Sequence, residues 1–366
     1  MDNFVVSARK YRPKGFEEVV GQGHITTTLT NAIVNKQLAQ AMLFCGPRGV
    51  GKTTCACIVA RMINDFDESE QNSLNIFELD GASNNSVDDI RNLIDQIRYP
   101  PQYGTHKVYI IDEVHMLSNQ AFNAFLKTLE EPPDYAIFIL ATTEKHKVIP
   151  TILSRCQIFD FNRIQISDIA DHLKNIAQAE GITTEEEALH LIAQKADGAL
   201  RDALSIFDLL VTFSSNKHIT YQSAINNLHV LDYDYYFRLT DYLLKKDVAN
   251  ALLLFDEVLQ KGFDGHNFLV GLNSHFRDLM VSKNAATIKL MEVPDSAKKK
   301  YLEQSSITSS SFLLSAMNIT LQGDINYKSS KNQRLLVELT LAKLAHVEDA
   351  INLAKALDEG GDKKKS

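Results

Sequence analysis

The amino-acid sequence predicts an α/β domain with a mostly parallel, five-stranded sheet, followed by two all-helical domains. In residues 1–163, short apolar runs alternate with segments of helical periodicity, which is the pattern of a parallel sheet covered by helices. From Ser167 onward, the strand signals nearly disappear and helix boundaries take over. The length of 366 residues also favours two or three domains over a single core.

Composition is typical of a globular protein and limits the partners that the chain can have. Hydrophobic residues make up 45% of it and charged residues 23%. No apolar stretch approaches the ~18 residues of a membrane helix, and the start lacks the layout of a secretory signal. We therefore expect a cytoplasmic protein with no membrane contact. The formal net charge of -8 means that any contact with DNA must be local rather than a general coating.

Five apolar runs are predicted to be the strands of the first domain. They cover residues 41–45, 76–79, 108–111, 136–141 and 157–161. The helical segments between them can cover the two faces of the resulting sheet.

Helix punctuation predicts the elements of the second domain. Ser167 can cap its first helix, and Gly181 can end it. Thr184, followed three positions later by Glu187, matches a capping box that opens the next helix. A further helix begins near Leu200, which gives a small module of three or four helices.

The last region of the chain is predicted to be helical throughout. Apolar faces such as that of Phe237 and Leu244 mark its first helices. Further helical segments cover residues 267–283, 309–321 and 333–346. The final stretch, 359–366, is rich in Gly and Lys, so we expect it to be disordered.

Residues 46–53, with the sequence GPRGVGKT, fit the phosphate-binding pattern G-x-x-x-x-G-K-[ST] in full. The pattern follows an apolar strand and precedes a helical run, a context that disfavours a chance glycine-rich turn. Its backbone N–H groups can wrap phosphates, Lys52 supplies a positive charge, and the Thr53 hydroxyl can bind Mg²⁺. We therefore predict a site for ATP and Mg²⁺. Its phosphate-binding residues are Gly46, Pro47, Arg48, Gly49, Val50, Gly51, Lys52, Thr53 and Thr54.

Two adjacent carboxylates follow the third apolar run, at the edge where α/β proteins hold ligands. Asp112 would hold Mg²⁺ through its water shell, and Glu113 would polarise the attacking water, which favours hydrolysis. A solvated strand end is the alternative interpretation. Thr143 follows the next strand and could contact the water or the γ-phosphate, although threonine is common at strand ends.

Two arginines are candidates for contacting the γ-phosphate. Arg155 lies just before the last strand, and Arg201 begins a helix of the second domain. An arginine delivered from a neighbouring subunit can stabilise the charge of the transition state. Each of the two could equally be an ordinary surface arginine.

Eight short motifs follow one another along the chain. They are residues 8–13 (ARKYRP), 16–22 (FEEVVGQ), the phosphate loop 46–53, 112–115 (DEVH), 126–133 (LKTLEEPP), 141–143 (ATT), 154–156 (SRC) and 198–202 (GALRD). In this order they resemble the clamp-loader ATPases, and most closely the γ/τ family of bacterial DNA polymerase III. The combination extends over nearly the whole chain and is far more specific than any one motif.

The resemblance implies an AAA+ nucleotide-binding domain at 1–164, a helical lid at 165–229, a helical collar at 230–358 and a flexible tail at 359–366. The collar would tie the chain to other clamp-loader subunits in a hetero-pentameric ring. Binding of ATP would close a spiral of subunits around primer-template DNA while an open sliding clamp is held. Hydrolysis would then release the clamp onto DNA.

The same resemblance implies roles for individual residues. Arg12, Pro13 and Val20 would lie near the adenine, and Thr143 would be the first sensor of the γ-phosphate. Arg155 would be the finger that reaches a neighbour's ATP, and Arg201 the second sensor on the lid.

Cysteine content bears on metal binding. The four cysteines form no CxxC pair, and we interpret them as reduced and mostly buried. They are Cys45, Cys55, Cys57 and Cys156. Many γ/τ sequences carry a four-cysteine zinc module after the phosphate-loop helix, whereas residues 64–73 here contain no cysteine. We therefore predict that this chain has no zinc site.

The sequence allows two interpretations of a possible DNA contact and more than one functional class. Residues 83–91 could present N–H groups to a DNA phosphate, with Arg91 and Arg98 nearby, or their Ser and Asn side chains could only cap a helix.

The chain could be a clamp-loader stator that no longer hydrolyses ATP, but intact Lys52 and Glu113 disfavour this. It could also be another AAA+ DNA motor, such as a branch-migration helicase, but the helical C-terminal third favours the loader.

Overall fold

The computed structural model describes residues 5–65, 75–101, 104–214, 217–228, 231–291, 293, 295–350 and 352. The chain divides into two compact units, Met1–Ile219 and Thr220–Ser366. The predicted boundary between lid and collar at residues 229 and 230 and the predicted tail, 359–366, lie outside the described residues.

The first unit contains the predicted five-stranded parallel sheet. Its strands are β1 (Ala41–Cys45), β2 (Ile76–Asp80), β3 (Lys107–Asp112), β4 (Ala136–Thr142) and β5 (Gln157–Asp160). Their order across the sheet is β2-β3-β4-β1-β5, and every neighbouring pair is parallel. All five carboxyl ends therefore lie along one edge, as a parallel sheet requires.

The central strands are buried on both faces, which explains why they appear in the sequence as continuous apolar runs. Every residue of β1 and of β4 is buried. On one face Tyr109 stacks on Phe138 with ring centroids 5.6 Å apart, within one apolar core. On the other face Ile110 and Ile139 belong to a second core. The sheet thus separates two hydrophobic layers, each completed by helices.

Helices surround the sheet. Those of the nucleotide-binding part are α1 (Ser7–Lys10), α2 (Gly23–Val34), α3 (Lys52–Asn64), α4 (Val87–Ile97), α5 (Asn119–Glu130) and α6 (Pro150–Leu153). Helix α3 starts directly after the phosphate loop and packs on the core that contains Ile110, because Cys55, Ile58 and Val59 are buried there.

The remainder of the first unit is the predicted helical module, with an added pair of short strands. Its helices are α7 (Ile166–Ala179), α8 (Glu186–Lys195) and α9 (Leu200–Phe213), and its strands are β6 (Thr183–Thr184) and β7 (His218–Ile219). The β6–β7 pair is parallel and was not expected from the sequence.

Two of the predicted helix starts in this module are wrong, and one predicted end is confirmed. The residue before α7 is Gln165, with no side-chain cap, so Ser167 lies inside the helix. Thr184 does not open a capping box, because it pairs with Ile219 in the β6–β7 ladder and Glu185 precedes α8. Gly181 follows the end of α7 with φ +65°, the left-handed conformation that glycine adopts at low cost.

The second unit is helical throughout its described residues, as predicted. Its helices are α10 (Tyr221–Leu228), α11 (Tyr233–Leu244), α12 (Val248–Gln260), α13 (Gly265–Ser282), α14 (Asp295–Ile307), α15 (Ser310–Tyr327) and α16 (Gln333–Ala345). Helix α13 lies in the core and buries Phe268, Leu272 and Phe276 at helical spacing. Among the described helices of the whole chain, none combines the length and apolarity needed to cross a lipid bilayer.

A closed network of polar side chains lies inside this helical core. His275 is 1% exposed, and its Nε2 lies 3.1 Å from Gln304 Oε1 while its Nδ1 lies 3.0 Å from the Tyr301 hydroxyl. The Gln304 amide nitrogen donates to Phe237 O at 2.9 Å and to Asp241 Oδ1 at 2.8 Å. Its oxygen therefore accepts from Nε2–H, and Nδ1 accepts from the Tyr301 hydroxyl. Burial lowers the pKa of His275 to about 3, so the ring is neutral.

Candidate nucleotide site

A cavity of about 870 Å³ lies at the carboxyl edge of the sheet in the first unit. The phosphate loop after β1, the acids at the end of β3 and the start of α9 form its walls. Most of the predicted site residues line this cavity. They are Arg12, Pro13, Val20, Arg48, Gly49, Val50, Gly51, Lys52, Thr53, Thr54, Asp112, Glu113 and Arg201.

The phosphate loop needs glycine at its first position. Gly46 has φ +149°, and a side chain there would collide with the backbone oxygen of Phe161. Its N–H donates to Thr142 O at 3.2 Å, which attaches the loop to the end of β4. Gly46 and Pro47 do not line the cavity, but their carbonyl oxygens hold the loop lysine.

Lys52 is a buried positive charge at the start of α3. It is 6% exposed, and its Nζ donates to Gly46 O and to Pro47 O, each at 2.8 Å. Burial lowers its pKa, while the negative charges of Glu113 and Asp112 act in the opposite direction. An ammonium group has three donors, so one donor and the charge remain for a phosphate.

Thr53 and Asp112 form the second part of the site. The Thr53 hydroxyl donates to Asp112 Oδ2 at 2.6 Å, and Asp112 Oδ1 accepts from the Glu113 N–H at 2.9 Å. A hydroxyl and a carboxylate at this distance fit Mg²⁺, which binds proteins through one or two such oxygens and completes its shell with phosphate and water. No cluster of three His, Cys, Asp or Glu side chains that could hold a metal occurs within the described ranges.

Glu113 has an unusual backbone and is held by the neighbouring strand. Its φ is +46°, the left-handed region that non-glycine residues rarely adopt. Its Oε2 accepts from the Thr143 hydroxyl at 3.0 Å and from the Thr143 N–H at 3.3 Å. Thr143 therefore contacts the paired-acid strand directly, although it does not itself line the cavity.

The helical module closes the cavity from another side. The N–H of Arg201 donates to Gly49 O at 3.4 Å. A Cβ atom added to Gly49 would lie 3.0 Å from the Ala199 Cβ, so a side chain there would press on the module. Leu200 and Leu204 line the cavity beside Arg201. The phosphate loop and α9 are thus in direct contact.

The segment before α2 forms a further wall and is tied to the helical module. Arg12 Nε donates to Thr54 Oγ1 at 3.3 Å. The Ser7 N–H donates to Asp208 Oδ2 at 2.7 Å, and the Ser7 hydroxyl donates to the same carboxylate. The Tyr11 hydroxyl donates to Glu180 at 2.5 Å. We call the two Ser7–Asp208 bonds the Ser7 latch.

Arg155 lies apart from the cavity of its own chain. Its Nη1 donates to Thr151 O at 2.7 Å, and its other terminal nitrogen pairs with Glu130. The side chain is 32% exposed. In contrast to Arg201, it is therefore not positioned to contact a ligand bound to the same chain.

Several cavity residues were not identified from the sequence. Tyr11 lies in the motif at residues 8–13, from which only Arg12 and Pro13 were assigned to the site. Ile164 follows β5. Glu78 and Asp80 lie at the end of β2, next to the acids of β3. Acids at the end of a predicted strand were the available signal for these two, but the sequence does not indicate which strands are neighbours.

The polar start of α4 caps its own helix. The Ser86 hydroxyl accepts from the Asp89 N–H at 3.2 Å, and the Asp89 carboxylate accepts from the Ser86 N–H, which is a complete capping box. Arg91 pairs with Asp88 and Arg98 pairs with Asp95, each at 3.3 Å on the exposed surface. The capping interpretation is confirmed, and the DNA contact stays a prediction.

The cysteines give no sign of reactivity. Cys45 and Cys55 are buried, and Cys57 and Cys156 are half-buried. Burial raises the pKa of Cys45 to about 11 and that of Cys55 to about 12, so both are protonated thiols at neutral pH. Residues 66–74, which bear on the prediction of no zinc site, lie outside the described residues.

Three family models match successive parts of the chain. Residues 21–165 match the model described as DNA polymerase III, delta subunit. Residues 168–216 match the ATPase lid domain of the DNA polymerase III clamp loader subunit. Residues 223–359 match domain III of the DNA polymerase III subunits gamma and tau.

Known proteins are similar over almost the whole chain. The chain is 39% identical over 351 residues to DNA polymerase III subunit tau of Bacillus subtilis, which covers 92% of this chain and 62% of that protein. It is 34% identical over 359 residues to DNA polymerase III subunit gamma of Buchnera aphidicola, which covers 93% of this chain and 97% of that protein. The chain thus spans about three fifths of the first relative.

A solved structure of lower similarity shares part of the fold. The Thermotoga maritima RuvB Holliday junction branch migration motor is 21% identical, with a TM-score of 0.50. The match covers 64% of this chain and 79% of that chain. At this identity, the likeness bears on the fold alone.

Proposed function

The chain belongs to the family of DNA polymerase III gamma and tau subunits, and from this membership we propose that it is an ATP-hydrolysing subunit of a clamp loader. It would load a sliding clamp onto primed DNA during replication. The observation that supports this most directly is the convergence of four groups on one cavity. Lys52, Thr53, Asp112 and Glu113 all line it, and the Thr53 hydroxyl lies 2.6 Å from Asp112.

Binding of ATP and Mg²⁺ would use the phosphate loop and the acid strand. Backbone N–H groups of the loop and the start of α3 would present partial positive charge to the phosphates. Lys52 would pair with the phosphate oxygens through its remaining donor. Thr53 and Asp112 would hold Mg²⁺, which when bound neutralises charge on the β- and γ-phosphates. Arg12, Pro13 and Val20 would form the adenine wall.

Hydrolysis would depend on Glu113 as the group that orients the attacking water and accepts its proton. Thr143 holds one oxygen of this carboxylate through two hydrogen bonds. Arg201 would contact the γ-phosphate from the helical module, and its bond to Gly49 would transmit that contact to the phosphate loop. We propose Arg155 as the residue that completes the site of a neighbouring subunit, because it does not line the cavity of its own chain.

Two alternatives are weaker. A stator that does not hydrolyse ATP would not need the paired acids, the loop lysine and Thr143 in their present contacts. A branch-migration motor shares the fold over 64% of this chain, but residues 223–359 match domain III of gamma and tau. The partners that we propose are therefore the other subunits of a pentameric loader, a sliding clamp and primer-template DNA.

The test is to mix the full chain with the clamp-loader subunits and sliding clamp of its own organism and to measure ATP hydrolysis. We expect the rate to rise on addition of primed DNA and to remain low with unprimed duplex. The Glu113→Gln variant should bind ATP normally and lose turnover by about 100- to 10,000-fold, since a general base contributes this much. A complex whose turnover ignores primed DNA, or a Glu113→Gln variant at the wild-type rate, would contradict the proposal.

The assignment of Arg155 needs its own variant. Within the complex, Arg155→Ala should bind ATP as the wild type does and hydrolyse it about 1,000-fold more slowly, because an arginine finger contributes at this level. Arg163→Ala is the matched control, since Arg163 is exposed and pairs with Asp197 on the same chain. Retained turnover in Arg155→Ala would mean that the finger is a different residue.

A further inference from the structure

His115 is a buried imidazole next to the paired acids. It lies in the short 3₁₀ segment Val114–Met116, directly after Glu113, and its side chain is 6% exposed. It does not line the cavity, so none of the roles described above uses it. A polar ring removed from water in this way needs polar partners.

The ring lies between two carboxylates and a hydroxyl. Its Nδ1 forms a 3.0 Å hydrogen bond with Thr142 Oγ1 and lies 3.3 Å from Glu113 Oε2. Its Nε2 lies 3.5 Å from Glu144 Oε1 on the opposite side. Both nitrogens therefore have acidic neighbours, and the nearer one is the proposed base of the reaction.

Thr142 fixes the ring to the rest of the site. It is the last residue of β4 and is fully buried. Its hydroxyl oxygen accepts from the Glu144 N–H at 3.0 Å, and its carbonyl oxygen accepts from the N–H of Gly46 at 3.2 Å. The ring is thus held by a residue that also anchors the start of the phosphate loop.

The contacts on the Glu113 carboxylate all fall on one oxygen. Oε2 accepts two hydrogen bonds from Thr143 and lies against His115 Nδ1. The described residues place no hydrogen bond on Oε1. Because the two oxygens of a carboxylate are rigidly joined, neighbours that hold Oε2 also restrict where Oε1 points.

We propose that His115 is a positioning residue, which holds Oε2 of Glu113 so that Oε1 is presented to the attacking water. This inference rests on the proposed ATPase function and deepens it. Thr143 constrains the carboxylate from the end of β4, and His115 constrains it from the segment after β3. Without the ring, Glu113 can rotate away from Thr143 while the phosphate loop and the Mg²⁺ residues are unchanged.

The test measures kcat, KM for ATP and thermal stability for variants in the full complex with clamp and primed DNA. His115→Ala should lower kcat by about 10- to 100-fold, the cost of a small misplacement of a reacting group. The affinity for a fluorescent ATP analogue should stay at the wild-type value, whereas the Tm should fall, because the variant loses a buried ring. His115→Asn, which keeps an amide near the position of Nδ1, should restore most of kcat.

The matched control is His146→Ala. His146 is 76% exposed and lies 3.5 Å from Glu144, so it shares one neighbour with His115 without contacting Glu113. The His146→Ala variant should hydrolyse ATP at the wild-type rate. Thr142→Val removes the hydroxyl that orients the ring and should lower kcat in the same direction as His115→Ala. If His115→Ala does not fold, Thr142→Val tests the proposal in its place.

Unchanged kcat in His115→Ala or in Thr142→Val would overturn the proposal. An equal loss in His146→Ala, or a loss that His115→Asn does not restore, would overturn it as well, because either result indicates general packing. The two levels of inference are separable. If the wild-type complex hydrolyses ATP and His115→Ala hydrolyses it at the same rate, only the role of His115 fails. If the wild-type complex shows no hydrolysis, the proposed function fails and the role of His115 falls with it.

Discussion

The two units of this chain both bury polar side chains, but they satisfy them differently. In the first unit, Lys52 is 6% exposed and donates only to two backbone oxygens, and the described residues give it no ion pair. In the second unit, His275 is 1% exposed, and both ring nitrogens are bonded to side chains. Lys52 thus keeps a charge that has no direct ion pair within the described part of the chain, whereas the His275 network is complete within the fold.

The difference teaches how to distinguish a ligand site from a structural network. Burying a charge without an ionic partner lowers stability, so a chain that does so has another use for the charge. Burying a neutral ring with both nitrogens bonded fixes the packing of helices around it. Lys52 and His275 are buried to almost the same degree. They differ in whether a donor remains without a partner.

The largest expected effect comes from removing the charge of Lys52. Lys52→Ala should weaken ATP binding by about 100-fold or more, since it deletes a charge-assisted hydrogen bond to phosphate. The free energy of unfolding without nucleotide should not fall, because the buried unpaired charge is also gone. Titration with a fluorescent ATP analogue and chemical denaturation measure the two quantities. Lys127→Ala, at an exposed position on α5, is the control.

The opposite pattern is expected for the second unit. His275→Leu leaves the Tyr301 hydroxyl and the Gln304 oxygen without their partner, so the free energy of unfolding should fall by about 2–4 kcal/mol. Affinity for ATP should be unchanged. Chemical denaturation would measure the loss of free energy of unfolding, and hydrogen exchange of the α13 amides would locate it. His346→Gln, at an exposed histidine of the same unit, should have no effect. A stable His275→Leu variant would remove the distinction between the units.

The closed network also predicts how stability depends on pH. Burial lowers the folded-state pKa of His275 from 6.5 to about 3, so below pH 6.5 the unfolded chain binds a proton that the folded chain does not. Its contribution is fully present above pH 6.5 and decreases as pH falls toward 3. At pH 5 the loss should be about 2 kcal/mol. Denaturation at pH 7 and pH 5 should show a smaller difference for His275→Leu than for the wild type.

The smallest expected effect concerns the Ser7 latch. Asp208→Ala removes both bonds from Ser7, which loosens the wall that carries Arg12 and Pro13 beside the cavity. Release of a fluorescent ADP analogue should become about threefold to tenfold faster, as expected for the loss of about 1 kcal/mol. Asp171→Ala, at an exposed acid on α7, is the control. Unchanged release in Asp208→Ala would show that the latch does not restrain the nucleotide.

The sheet and the phosphate loop were readable from the sequence for physical reasons. Strands buried on both faces leave continuous apolar runs, and β1 and β4 are of this kind. The loop is recognisable because its backbone requires glycine at fixed positions, as Gly46 and Gly49 show. Both signals are local, so the chain carries them without reference to its fold.

The parts that were not readable depend on distant contacts. Thr184 has the local pattern of a helix cap, but pairing with Ile219, 35 residues along the chain, takes precedence. Glu78 and Asp80 reach the cavity only because β2 is the neighbour of β3. The contacts of His115 depend on how the segment after Glu113 turns toward β4, and no spacing in the sequence encodes that turn.

The left-handed backbone of Glu113 has a genetic consequence. Glycine adopts this conformation about 1 kcal/mol more cheaply than other residues, so in Glu113→Gly the relieved backbone should offset part of the stability that is lost with the two Thr143 hydrogen bonds. Such a variant should fold and join the proposed partner subunits without a carboxylate to activate water. In a cell that expresses both alleles, we therefore expect it to poison assemblies and behave as a dominant mutation.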